Sequence, residues 1–159
     1  MRTFLRTIAV GTVLAALGVV HLAAQADDPL VGTWELSIAK SKYNPGPAPK
    51  SETRTYVAAG QEIKATSKGV DADGKPTTGQ WTVNYDGTDR PATGRPGVDA
   101  LSVKRIDAFT AEFTQKKAGK VVITGTRTIS QDGKVMTITN KGTNAKGQTI
   151  NDVLVFEKR

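Results

Sequence analysis

From residue 31 onward, apolar and polar side chains alternate over short runs, and no window carries a convincing 3.6-residue apolar period. Runs rich in Val, Ile, Thr and aromatics predict strands near 31–38, 51–59, 61–68, 77–86, 88–93, 98–106, 109–117, 120–130, 133–141 and 148–157. Turn signals separate them: Ala59-Gly60, Asp73-Gly74, Asp86-Gly87, Ala118-Gly119, Asp132-Gly133 and Lys146-Gly147. Asp-Gly can place two residues at positive φ, which suits tight turns between antiparallel strands. The Ile106–Phe109 corner is a weaker turn signal. Residues 39–50 break the alternation, because Pro45, Pro47 and Pro49 exclude a regular helix and lack ladder donors. This stretch reads as an extended connector, after at most one helical turn at Ala39–Lys42. A lid over one end and an exposed Pro-rich ligand are its two other readings.

Sequential hairpins make an up-and-down meander, and a meander of this many strands must manage its edges. Closing it into an antiparallel barrel of eight to ten strands removes them. Such an interior is either filled by side chains or holds one small ligand. A β-sandwich is the rival arrangement.

Alternation also sorts the faces. Trp81, Val83 and Tyr85 share one face, as do Leu101 with Val103, Phe109 with Ala111 and Phe113, Val121 with Ile123 and Ile129, Met136 with Ile138, and Ile150 with Leu154 and Phe156. These are expected inside. The same parity turns Arg105, Gln115, Arg127, Asn140 and Asp152 inward. Two arginines against Asp152 leave a positive surplus, and an unpaired buried cation costs several kcal/mol, roughly. Three resolutions are open: wet strand ends, a bulge that reverses parity with Gly125 as its marker, or an anionic ligand. A structural Arg127–Asp152 pair is a further alternative. The ligand reading takes Arg127 and Arg105 as anion contacts and Trp81, Tyr85, Phe109, Phe113 and Ile123 as lining.

Composition narrows the chemistry. Residues 1–26 read as a secretory signal: Arg2 and Arg6 precede the apolar Ile8–Val20 stretch, and Ala24-Gln25-Ala26 fits the small-x-small cleavage rule. Cleavage after Ala26 leaves a single domain over 27–159 and takes the formal charge from +7 to +5 by removing Arg2 and Arg6. The expected location is periplasmic or extracellular. No later segment is apolar enough to span a bilayer as a helix, so no stable membrane insertion is expected after cleavage. The only histidine, His21, goes with the leader, and the chain has no cysteine. A His-based triad, a Cys nucleophile, a thiolate or imidazole metal site and an ordinary haem ligand are thereby excluded for residues 27–159. Basic residues are scattered beside turns, with no Lys/Arg run or basic helix to suggest nucleic acid. Asp71-Ala72-Asp73-Gly74 lacks the rest of a calcium loop. No phosphate-binding glycine motif or nucleophile elbow is present. Neither an enzyme nor a cofactor is predicted.

Gly32-Thr33-Trp34 opens the first strand, and the chain ends Phe156-Glu157-Lys158-Arg159. This pair of ends resembles the calycin superfamily of lipocalins and fatty-acid-binding proteins. The resemblance implies that Trp34 closes the barrel floor with Lys158 or Arg159 as its cation. The chain from Leu30 on also resembles secreted bacterial lipocalin-like proteins of unknown function. Lys40-Ser41-Lys42-Tyr43, Pro45-Gly46-Pro47, Tyr85-Asp86-Gly87, Lys104-Arg105-Ile106-Asp107 and Lys141-Gly142-Thr143-Asn144 carry it. One departure bears on function: the Arg-x-Tyr with which fatty-acid-binding proteins hold a carboxylate is replaced by Leu154 and Phe156. The connector is also too short for that family's helical lid. The expected partner is therefore a small hydrophobic or amphipathic ligand, with an anionic group accounting for the arginines. The alternative is a non-enzymatic interaction module of the cell envelope with a filled barrel.

Overall fold

In the computed structural model, residues 28–159 are described, and the expected leader with its cleavage site lies outside the described residues. Ten strands form, all antiparallel: β1 (Gly32–Leu36), β2 (Ser51–Ala59), β3 (Glu62–Val70), β4 (Pro76–Val83), β5 (Arg90–Thr93), β6 (Ala100–Arg105), β7 (Thr110–Lys117), β8 (Lys120–Ile129), β9 (Val135–Thr143) and β10 (Thr149–Lys158). Each pairs with its neighbours in sequence, and β1 pairs with β10, so the sheet closes on itself as an up-and-down barrel and not a sandwich. The only helix among the described residues is the 3₁₀ turn Ile38–Lys40.

The turns differ in detail from the expectation. Ala118-Gly119 is the one pair in which both residues take positive φ (48° and 75°). At Asp132-Gly133 only the glycine does, and the aspartate instead accepts hydrogen bonds from Ser130 Oγ (2.6 Å) and Lys134 N (3.1 Å). There Asp acts through its carboxylate and not through its backbone.

Up-and-down winding places alternate turns at alternate ends. Trp34, fully buried, lies towards the end where β1 starts; its Nε1 donates to Leu30 O at 2.8 Å. Lys158 Nζ stands 5.1 Å from the Trp34 ring centroid and donates to Pro29 O at 3.1 Å. A Cβ at Gly32 would lie 2.6 Å from Lys158 Cε, so the glycine of Gly32-x-Trp34 makes room for the lysine stem. Arg159 is turned away from Trp34: it pairs with Glu35 in solvent.

At the opposite end the connector completes the wall. β1 meets β10 only from Trp34↔Lys158 to Leu36↔Phe156. Beyond that, Lys42 exchanges hydrogen bonds with Val153 (2.7 and 2.8 Å), and Asn44 N donates to Asp152 Oδ1 at 2.8 Å. The connector thus continues along the edge of β10 that β1 leaves free, and Tyr43 packs against the core.

Two parity expectations are corrected. The ladder jumps from Gln115↔Ile123 to Lys116↔Val121, so the bulge sits at Val122 and not at Gly125. Val122 packs on the core while Val121 is 57% exposed. Gly125 instead permits close approach, since a Cβ there would meet Thr139 O and would lie 2.5 Å from Phe113 Cζ.

Candidate ligand-binding site

Inward-facing positions leave a cavity of about 50 Å³ within the barrel, partly open to solvent. Its apolar wall comes from Trp81 and Val83 on β4, Leu101 and Val103 on β6, Phe113 on β7 and Ile138 on β9, with Tyr56 on β2. Tyr56 meets Trp81 edge to face, ring centroids 5.9 Å apart. The polar groups are Arg54, Arg95, Gln115, Arg127 and Asn140.

Arg127 is 8% exposed. Its Nη2 donates to Tyr85 Oη at 2.8 Å, while its buried Nε has no partner among the described residues. The Arg127–Asp152 pair does not form, because Asp152 is engaged by the connector. Asn140 lies on the neighbouring strand, opposite Gly125, with Arg127 opposite Ile138. The two are therefore diagonal neighbours on the inner face, where long side chains come within reach of each other. Asn140 Oδ1 is likewise buried and unpartnered. A donor and an acceptor without partners in one cavity are an uncompensated cost of burial, which a bound polar molecule or water removes.

Arg105, Tyr85 and Phe109 stand elsewhere. β6 ends at Arg105 and β7 starts at Thr110, which sets these side chains at the Trp34 end around Asp28. Arg105 pairs with the buried Asp28 carboxylate and lies 3.8 Å from the Tyr85 ring centroid. Burial pushes the Tyr85 phenol up, the Arg127 guanidinium pulls it back, and Asp28 adds to the rise. Ile123 is partly buried and does not line the cavity, since it sits at the bulge. Of the expected set, Arg127, Trp81 and Phe113 meet in one place.

Three lining residues, Arg54, Tyr56 and Arg95, escaped the parity reading. Arg54, 6% exposed, is held by Glu52 Oε1 at 2.7 Å, and its guanidinium lies 4.4 Å from the Phe156 ring centroid. Burial alone would lower its pKa, but the Glu52 carboxylate and the Tyr56 phenol turn the net shift upward. Glu52 is shifted down: burial acts to raise it and Arg54 overrides that. Arg95, in the loop between β5 and β6, lies 4.6 Å from the Trp81 ring centroid and has no carboxylate within ion-pair distance among the described residues. Burial, then the nearby Arg54 charge, pushes its pKa down to about 10, so it remains a cation at neutral pH.

Known structures share the architecture. The chain is similar to Rv2717c from Mycobacterium tuberculosis, with TM-score 0.55 and 15% identity over 86% of this chain and 96% of that one. It is also similar to zebrafish ileal bile acid-binding protein complexed with cholic acid, with TM-score 0.50 and 15% identity over 82% of this chain and 99% of that one. A redesigned β-barrel matches with TM-score 0.50 and 14% identity over 85% and 96% of the two chains. At these identities the likeness is one of fold. No protein-family model matches the chain, and no curated protein does.

Proposed function

We propose that this barrel is a secreted, non-enzymatic binding protein that takes a compact, partly apolar anion into its cavity. The observation that carries the reading is Arg127: a buried guanidinium lining a cavity, with its Nε unpartnered beside the unpartnered Asn140 Oδ1. The cavity supplies an apolar wall for the rest of the molecule, and a fold shared with a bile acid-binding protein supports the class. A charge-assisted hydrogen bond to the ligand contributes about 1.5–3 kcal/mol. Arg127→Met is therefore expected to weaken benzoate binding by roughly tenfold or more, read by titration of tryptophan fluorescence. Undiminished binding would remove Arg127 from the site. The small cavity volume favours one rival, a filled barrel that displays its connector to an envelope protein. Replacing the exposed Pro45 and Pro47 of the connector with alanine should abolish partner capture under that rival while benzoate binding survives. Secretion has its own check: protein recovered from the periplasm or medium should begin at Asp27, and a retained leader would contradict it.

A further inference from the structure

Size and charge together narrow the ligand. A water needs roughly 10–15 Å³ of such space, so a cavity of about 50 Å³ holds a few waters or one compact head group. It is far below the roughly 300–1,000 Å³ of pockets that enclose a drug-sized molecule. A long acyl chain or a steroid has no room inside; only a head group does, with a short remainder in the mouth beside Trp81.

Charge decides which head group. The inward-facing charged groups are Arg54, Arg95, Arg105 and Arg127 against Glu52, Asp28 and Asp152, the last lying opposite Asn140 and held by Asn44 N. Glu52 pairs with Arg54 and Asp28 pairs with Arg105. Arg95 and Arg127 remain, each without a carboxylate within ion-pair distance among the described residues. Burial raises the Tyr85 phenol above its ordinary value, so it is neutral at neutral pH. Arg95 and Arg127 both line the cavity and Asp152 does not, so two cations without a carboxylate partner face one small space and call for a centre that carries two negative charges. A carboxamide turned end for end keeps its shape, so Asn140 can meet an oxygen of that centre as donor or a hydroxyl as acceptor.

We infer that the cavity is specific for a doubly charged tetrahedral anion, a phosphate monoester bearing a small apolar group, held between Arg95 and Arg127 with Asn140 completing the shell. The inference rests on the anion-binding reading above. Phenyl phosphate, phenyl sulfate and phenol test it, since the first two match in shape and differ in charge once the phosphate has lost its second proton, at a pKa of about 6. Calorimetry at pH 7.5 should show phenyl phosphate bound about tenfold tighter than phenyl sulfate. That advantage should shrink at pH 5.5. Arg95→Gln, in the loop between β5 and β6, should reduce it to about twofold; its urea midpoint, expected near that of the parent, is measured alongside. Equal affinity for phosphate and sulfate, both above phenol, would overturn the dianion assignment and leave anion binding standing. Phenol bound as well as either anion, or no binding by any of the three, would overturn anion binding itself. A full phosphate advantage retained in Arg95→Gln would overturn the role given to Arg95.

Discussion

Arg54 shows how a single buried cation is accommodated here. Its guanidinium lies 4.4 Å from the Phe156 centroid and 5.7 Å from that of Trp81, with Glu52 as its carboxylate. Removing one partner of such a pair strands the other, so Glu52→Gln is expected to lower stability by about 2–3 kcal/mol at pH 7, the low side of the range because Glu52 retains some solvent contact. The pH dependence has a definite sign. Glu52 titrates below its ordinary value of 4.5 in the folded chain, so its contribution is present above that value and disappears as pH falls through the folded pKa. Urea unfolding of both chains at pH 7 and at strongly acid pH should therefore show a gap that closes in acid. A gap independent of pH would mean that packing, not charge, is what Glu52 supplies. This pair was hidden from a reading by alternation. On β2 the branched apolar residue Val57 is 56% exposed, while the inner face runs Glu52, Arg54 and Tyr56. Hydrophobicity alone points the wrong face inward. Arg95 lies in a loop, where no period exists to place it. Trp81, Phe113, Arg127 and Asn140 were legible because each stands two residues from an apolar inward neighbour: Val83, Ala111, Ile129 and Ile138.

Among the elements, the β7–β8 hairpin departs from regular pairing and β9 adapts to it. The extra residue at Val122 pushes the backbone of 122–123 towards β9, and Gly142, opposite Ile123, answers it. Gly142 has φ of 150°, and a Cβ there would overlap Val122 O and lie 2.8 Å from Ile123 Cα. Gly142→Ala is expected to cost about 2–3 kcal/mol through backbone collision and strain. Gly147 is the control: it is left-handed at φ 76° but faces open space, so Gly147→Ala should cost about 1 kcal/mol. Urea midpoints of the two variants decide it, and equal losses would show that close approach is unimportant at Gly142. The strands were legible because ten alternating runs bounded by glycine turns leave few other arrangements. The bulge was not, since Val121, Val122 and Ile123 are consecutive apolar residues and either parity satisfies the sequence.

For the whole molecule, everything turns on one short seam. Nine neighbouring strand pairs follow from the meander, but closure depends on β1 and β10, which share the register Trp34↔Lys158, Glu35↔Glu157 and Leu36↔Phe156. Trp34 and Phe156 are fully buried at this seam, and the Lys158 ammonium stands over the Trp34 ring. Lys158→Met keeps the ladder and the stem while removing the cation, so it should cost only about 0.5–2 kcal/mol. Ending the chain after Val155 removes Phe156 and every β1–β10 rung, leaving only the bonds of Ser37, Lys42 and Asn44 to β10 across the seam. The open sheet then exposes unpaired strand edges, which recruit other chains. Light scattering coupled to size exclusion should find Lys158→Met monomeric and cooperatively folded, and the truncated chain associated or non-cooperative. A truncated chain that stays monomeric and melts cooperatively near the parent temperature would show that the core holds the barrel shut without the seam. The cavity would then be preformed by the nine consecutive hairpins, and anion binding should survive the truncation as well.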